Sequence, residues 1–186
     1  MDMMNRRSFT LAALAGAGMT AACGNGVGSN GAAEIDARVE NTLNYLYSNY
    51  PNARDLAAKS TGTLVMPLIT EAGFGVGAGY GRGALQVNDV TVDYYSAAKG
   101  SFGFQIGASQ HAHVLFFMTE GALADFRRSS GWAAGADLKY AAIDQGETLE
   151  LDTTTSLAPV IAVVFGQAGL HVGATLEGTK YTRIIP

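Results

Sequence analysis

Apolar residues recur at helical spacing at Ile35, Val39, Leu43, Leu46, Tyr47 and Tyr50, with Glu34, Asp36, Arg38 and Glu40 between them. This pattern predicts an amphipathic helix stopped by Pro51, whose ring removes a backbone donor. A shorter helix is expected over Asn52 to Lys59, ending at Ser60-Thr61-Gly62. Past Gly62 the period changes to two, the spacing of a pleated strand. Strands are predicted at Thr63 to Met66, Ala84 to Val87, Thr91 to Ser96, Ser101 to Gly107 and Val114 to Met118, with Asn88-Asp89 as a turn. Thr119 suits the N-cap of a helix running to about Arg128, and Gly131 stands where a left-handed stop is expected. Strands resume at Trp132 to Ala142, Pro159 to Phe165, Leu170 to Leu176 and Tyr181 to Ile185, with Gly166 to Gly169 and Gly178 in turns. The fold class expected is α+β, with N-terminal helices followed by a strongly curved, mainly antiparallel, glycine-rich sheet or barrel containing one inserted helix.

The most informative stretch is Gly73-Phe74-Gly75-Val76-Gly77-Ala78-Gly79-Tyr80-Gly81-Arg82-Gly83, with glycine at every odd position. In an extended chain one face carries Phe74, Val76, Ala78, Tyr80 and Arg82, and the other is bare backbone. Each glycine weakens a strand by ~0.5–1 kcal/mol, so six of them imply that something approaches that face closely. A helix, another strand or a ligand's acyl chain would all fit. A membrane helix built on Gly73, Gly77 and Gly81 is excluded, since six glycines would cost it ~5 kcal/mol of propensity. No Gly-Lys-Ser/Thr follows, which argues against a nucleotide loop.

The first 23 residues, MDMMNRRSFTLAALAGAGMTAAC, have a basic start, an apolar stretch from Leu11 to Ala22 and small residues before Cys23. This is the anatomy of a signal peptide, and its twelve apolar residues cover only ~18 Å as a helix, short of a ~30 Å bilayer core. Arg6-Arg7-Ser8-Phe9 resembles a twin-arginine export signal. Thr20-Ala21-Ala22-Cys23-Gly24 resembles a bacterial lipobox, with Thr20 where leucine is usual. The resemblance implies that Cys23 is lipidated and, with Gly24 rather than aspartate after it, that the protein is retained at the outer membrane, facing the periplasm. Residues 1–22 are thus expected to be a signal peptide, 23–32 a flexible Gly/Asn/Ser-rich tether and 33–186 the folded domain.

The chain of 186 residues is 48% hydrophobic and only 15% charged, enough apolar content for a real core. Loss of residues 1–22 would remove Arg6, Arg7 and Asp2, taking the formal charge from −4 to −5. An acidic domain of this kind is not a nucleic-acid binder, because phosphate attraction requires a basic surface. The single cysteine excludes an internal disulfide framework and any multi-cysteine metal site.

Enzyme signals are missing: the chain has neither a Gly-x-Ser-x-Gly elbow nor a His-Glu-x-x-His motif. No catalytic residue, metal or cofactor is assigned. His111 and His113 would share one face of a strand, with His171 as a possible third ligand, but no carboxylate adjoins them in sequence and surface histidines are commoner. Arg127 and Arg128, together with Lys99, Lys139, Lys180 and Arg183, are candidates for an anion-binding patch.

Several separated segments resemble the SYLF domain family over about Asn52 to Ile185. They include Gly73-Phe74-Gly75-Val76-Gly77, Tyr80-Gly81-x-Gly83-Ala84-Leu85, Tyr95-Ser96 and Ser101-Phe102-Gly103-Phe104-Gln105-Ile106-Gly107. Further along lie Ser129-Ser130-Gly131-Trp132, Ser156-x-x-Pro159-Val160, Val164-Phe165-Gly166-x-x-Gly169-Leu170 and Leu176-Glu177-Gly178-Thr179-Lys180. The resemblance implies a non-enzymatic domain that binds membrane lipid, phosphoinositides in eukaryotic members, with actin binding in a yeast branch. Eukaryotic members carry a basic N-terminal amphipathic segment, whereas Glu34 to Tyr50 is not basic. The expectation is therefore binding of a phospholipid or similar amphiphile, with the protein partner unknown. The candidate ligand residues are Phe74, Gly75, Gly77, Gly79, Tyr80, Arg82, Phe102, Phe104, Arg127 and Arg128. The alternative is a structural or protein-interaction envelope lipoprotein whose glycines serve packing alone.

Overall fold

The structure, a computed structural model, describes residues 29–135, 138–143, 149–150, 157–166 and 176–186. The signal peptide, the lipobox, His171, the strand expected at Leu170 to Leu176 and most of the tether lie outside the described residues. Helix α1 (Gly31–Asn49) begins two residues earlier than the proposed domain start and buries Ile35, Val39, Thr42 and Leu46 at helical spacing. Its stripe packs on the sheet as part of the core. Helix α2 (Asn52–Lys59) has the predicted limits and adds Ala53 and Leu56 to the same layer.

The next two elements are longer than the sequence suggests. Strand β1 (Gly62–Val87) and strand β2 (Val90–Phe117) run 26 and 28 residues and pair antiparallel along almost their whole length. The separate strands expected between residues 63 and 118 are therefore two continuous ones. Asn88 and Asp89, with φ of 51° and 61°, form the tight turn at the tip, and this backbone matches the right-handed twist of the flanking strands. Pro67 lies in a register shift between Met66 and Ile69, where a missing donor does no harm to the ladder.

Helix α3 (Glu120–Arg128) is capped by Thr119, whose hydroxyl accepts from the Ala122 amide at 3.2 Å. Its end corrects one expectation. Ser129 leaves the helix in an extended conformation, and Gly131 is not left-handed. A Cβ at Gly131 would lie 2.3 Å from Cε of Lys180, so its bareness admits a neighbouring side chain instead. Gly178, at φ 76°, is a turn glycine in the left-handed region, as expected.

The remaining strands are β3 (Trp132–Ala133), β4 (Leu138–Ile143), β5 (Leu149–Glu150), β6 (Val160–Phe165) and β7 (Lys180–Ile184). The single strand expected from Trp132 to Ala142 is thus two, broken at Ala134 and Gly135. Among the described strands the path runs β3-β7-β2-β6-β4-β5, with β1 on β2, and only the β4–β6 pair is parallel. Residues 94–98 of β2 pair with β7 while residues 112–117 pair with β6, so the two ends of one strand serve different parts of a curled half-barrel. The protein is α+β.

Two apolar layers hold this arrangement. Outside the curl, α1 and α2 cover Val65, Ala84, Val114, Phe116, Ile161 and Val163. Inside, Leu64, Met66, Leu85, Tyr95, Leu115, Phe117 and Tyr181 gather around Phe126 of α3. The Phe126 ring lies 4.7 Å from Tyr95, 4.9 Å from Phe117 and 5.5 Å from Trp132, centroid to centroid. Helix α3 therefore plugs the half-barrel with an aromatic side chain that is fully buried.

Candidate functional site

The glycine stretch is extended throughout, and what meets its bare face at Gly79, Gly81 and Gly83 is the first half of β1 itself. A Cβ on Gly83 would lie 2.0 Å from the Val65 carbonyl oxygen, and one on Gly81 2.3 Å from that of Leu68. Gly79 faces the Glu71 side chain, 3.0 Å from where a Cβ would stand. The chain curls back across its own backbone, and of the three candidates for the close approach, a strand is the one found at Gly81 and Gly83. No space for an acyl chain remains there.

Tyr80 and Arg82 point the other way. Tyr80 is exposed and Arg82 half-buried, and they line a cleft of about 170 Å³ where β1 crosses itself beside the first turns of α1. Its apolar wall is Ile35, Pro67 and Leu68, and Arg38 and Glu34 complete it as an ion pair at 2.6 Å. Two of the predicted ligand residues, Tyr80 and Arg82, are thus brought together with a second guanidinium that the sequence pattern placed only on a helix's polar face.

Arg127 and Arg128 are not part of this cleft. Arg127 Nε contacts Asp93 Oδ2 at 3.1 Å, and Arg183 reaches Oδ1 of the same, mostly buried carboxylate at 3.4 Å. Arg128 pairs with Asp125 at 2.6 Å on the exposed side of α3. Phe74 and Gly75 lie on β1, and Phe102 and Phe104 on β2; Phe74 pairs with Ile106 and Phe102 with Val76 where the hairpin curls. Gly77 is half-buried and pairs with Ser101.

His111 and His113 share the inner face of β2, as their spacing requires, and both are buried. His113 Nε2 and the Tyr181 hydroxyl lie 2.8 Å apart, and the His111 ring stacks on His113 at 5.7 Å. Beside them Lys99 Nζ meets Glu71 Oε1 at 3.5 Å. Burial above all, then the positive charge of His111 and Lys99, holds the His113 imidazole well below its ordinary pKa, so it is neutral at pH 7. Its Nδ1 is buried with no hydrogen-bond partner among the described residues. No group of three or more His, Cys, Asp or Glu among the described residues is arranged to hold a metal ion. The sheet register turns these polar groups inward as a clamp between distant parts of the curl.

Asp36 escaped the sequence reading. Its carboxylate accepts from the Thr91 hydroxyl at 3.0 Å and the Tyr94 hydroxyl at 2.8 Å, tying α1 to β2. Burial, and then the Asp36 hydrogen bond and charge, push the Tyr94 phenol up to about 12. An acidic residue at the edge of an apolar stripe gives no sign of such a contact.

The part of the curled sheet from within β2 into β7, with the inserted α3, is matched by a known family. Residues 98–183 match the family model described as Ysc84, a Las17-binding protein actin regulator. Over these 86 of 186 residues the chain is similar to SYLF domains. The match takes in the inner histidines, α3 and the Asp93 partners Arg127 and Arg183, while the Gly73–Gly83 alternation precedes it. Comparison with curated proteins returns no match. The matched family is actin-binding-related, and the inner face of the sheet is closed by its own packing.

Proposed function

We propose that this chain is an exported lipoprotein, anchored through Cys23 and facing the periplasm from the outer membrane, whose SYLF domain binds phospholipid without catalysing a reaction. The observation that carries the reading is the cleft in which Tyr80, Arg82 and Arg38 stand over an apolar wall. An aromatic with an apolar body and polar rim, beside guanidinium groups, suits the boundary between lipid tail and headgroup phosphate. The cleft adjoins the first turns of α1, and the eight residues from Cys23 to Gly31 span at most ~29 Å, which keeps it within reach of the anchoring bilayer. No helix among the described residues is long and apolar enough to cross a membrane, and acylation requires none.

A second reading draws on Gly81 and Gly83, whose bare faces are taken up by β1. On that reading the glycines serve packing, and the domain is structural or binds a protein. The two are separated by sedimentation of the Cys23→Ser protein with vesicles of phosphatidylethanolamine and phosphatidylglycerol. Binding at low salt is expected, weakened about five-fold by Arg82→Gln, since one basic residue near an anionic surface contributes ~1 kcal/mol. Retention in the supernatant at every lipid composition would favour the second reading.

Anchoring has its own measurement. Cys23→Ser should shift the protein from the membrane to the soluble fraction of cells, and unchanged membrane retention would refute acylation.

A further inference from the structure

A second cleft, of about 380 Å³, lies where α1, α2 and the two ends of β1 converge. Its walls include Tyr47, Arg54, Ser60, Gln86, Asn88 and Asp89. It shares no lining residue with the cleft at Tyr80, and Tyr47 is nine residues along α1 from Arg38, roughly 14 Å of helix, so the two are distinct and this one is independent of the lipid reading.

Its charges are unusual for this protein. Arg127, Arg128, Arg183 and Lys99 are all engaged by carboxylates, and Arg38 by Glu34. The Arg54 guanidinium instead lies over the Tyr47 ring, 5.0 Å from its centroid, and its side chain has no hydrogen bond or ion pair among the described residues. Asp89, on the hairpin tip, likewise lacks both. Both charges act on the Tyr47 hydroxyl, Asp89 raising its pKa and Arg54 lowering it, after the larger effect of burial. They line one cleft yet do not close into an ion pair. Contact with the face of Tyr47 restrains the guanidinium without using its N–H groups, which can donate to a ligand. Asp89 is held by the tight turn, with φ of 61°.

A simple anion in this cleft would gain from Arg54 and be repelled by Asp89, and a simple cation would meet the reverse. A ligand bearing both charges satisfies each wall, and Ser60, Gln86 and Asn88 add neutral hydrogen-bonding groups. We propose that this cleft binds a zwitterion, with a phosphate or carboxylate on Arg54 and a primary ammonium on Asp89. Such a group occurs free in solution and as the phosphoethanolamine headgroup of a lipid.

The test is calorimetric titration of the full-length Cys23→Ser protein with O-phosphoethanolamine, alongside inorganic phosphate, ethanolamine and phosphatidylethanolamine vesicles. Binding of O-phosphoethanolamine at least ten-fold tighter than phosphate or ethanolamine is expected, with a loss of ten-fold or more in Arg54→Gln and Asp89→Asn. Both sites are exposed and asparagine tolerates the turn conformation, so unfolding midpoints should not move. Binding to vesicles alone, lost in the same two variants, supports the site with lipid as the source of the headgroup. Equal binding of phosphate, indifference to both substitutions, or no binding to any of these probes overturns it. Loss of vesicle binding in Arg82→Gln but not in Arg54→Gln marks a result belonging to the other cleft, and then the zwitterion proposal stands or falls on the soluble titration.

Discussion

Gly83→Val is expected to destabilise the protein by at least ~3 kcal/mol, enough to leave much of it unfolded at 25 °C if its stability is ordinary for a domain of this size. The first atom added would sit 2.0 Å from the Val65 carbonyl oxygen and 2.6 Å from the Met66 sulfur. The methionine can move, but the carbonyl belongs to the backbone of a paired strand. Relief requires the second half of β1 to withdraw from the first by more than an ångström, which would break contacts in both apolar layers at once. Gly100→Ala is the control, because a Cβ there meets nothing within 4 Å, and a change within ~0.5 kcal/mol is expected. Urea unfolding followed by circular dichroism measures both. A Gly83→Val protein as stable as the parent would show that β1 does not cross itself as described.

Acid should loosen the domain through His113. In the folded protein its pKa is depressed, whereas the unfolded chain takes up a proton near pH 6.5. Below that pH the unfolded state binds more protons than the native state, so stability falls as pH falls, and the effect is absent above it. The limiting slope is ~1.4 kcal/mol per pH unit for one proton, until the folded imidazole itself is protonated. The groups facing the ring work in the same direction: His111 and Lys99 add positive charge, Glu71 is already engaged with Lys99, and Tyr181 offers only a hydroxyl. His113→Gln keeps a polar partner for Tyr181 and cannot titrate. Its unfolding free energy between pH 7.5 and 5 should vary less steeply than that of the parent, and identical slopes would remove His113 from the account.

Local pattern carried the helices well. The spacing of Ile35, Val39 and Leu46, the proline after Tyr50 and the cap at Thr119 each reflect interactions within a few residues, and α1, α2 and α3 appear where those signals lie. The hairpin tip at Asn88-Asp89 was legible for the same reason. Strand length was not. The pattern starts short strands afresh at Ala84, Ser101 and Val114, yet the ladder runs on through the residues between them, because pairing of β1 with β2 supplies the hydrogen bonds that local propensity could not promise.

The candidate site was legible only in part. Period-two alternation correctly separated Tyr80 and Arg82 from the glycines, but nothing in it shows that Arg38 joins them or that Arg127 is occupied by Asp93. Arg54 and Asp89, 35 residues apart, carry no joint signal at all, and His113 drew notice as a metal ligand while its partner turned out to be Tyr181, 68 residues away.

The amino-acid order alone determined the element types, the inserted helix, the bare face at residues 73–83 and the resemblance to SYLF domains, since each arises from neighbours within a turn or a pleat. Tertiary structure decided what fills that face, which charges neutralise one another and which remain open to a ligand. Those outcomes depend on where a curled strand returns upon itself, and that is set by the combined packing of α1, β6, β7 and Phe126 rather than by any short stretch of chain.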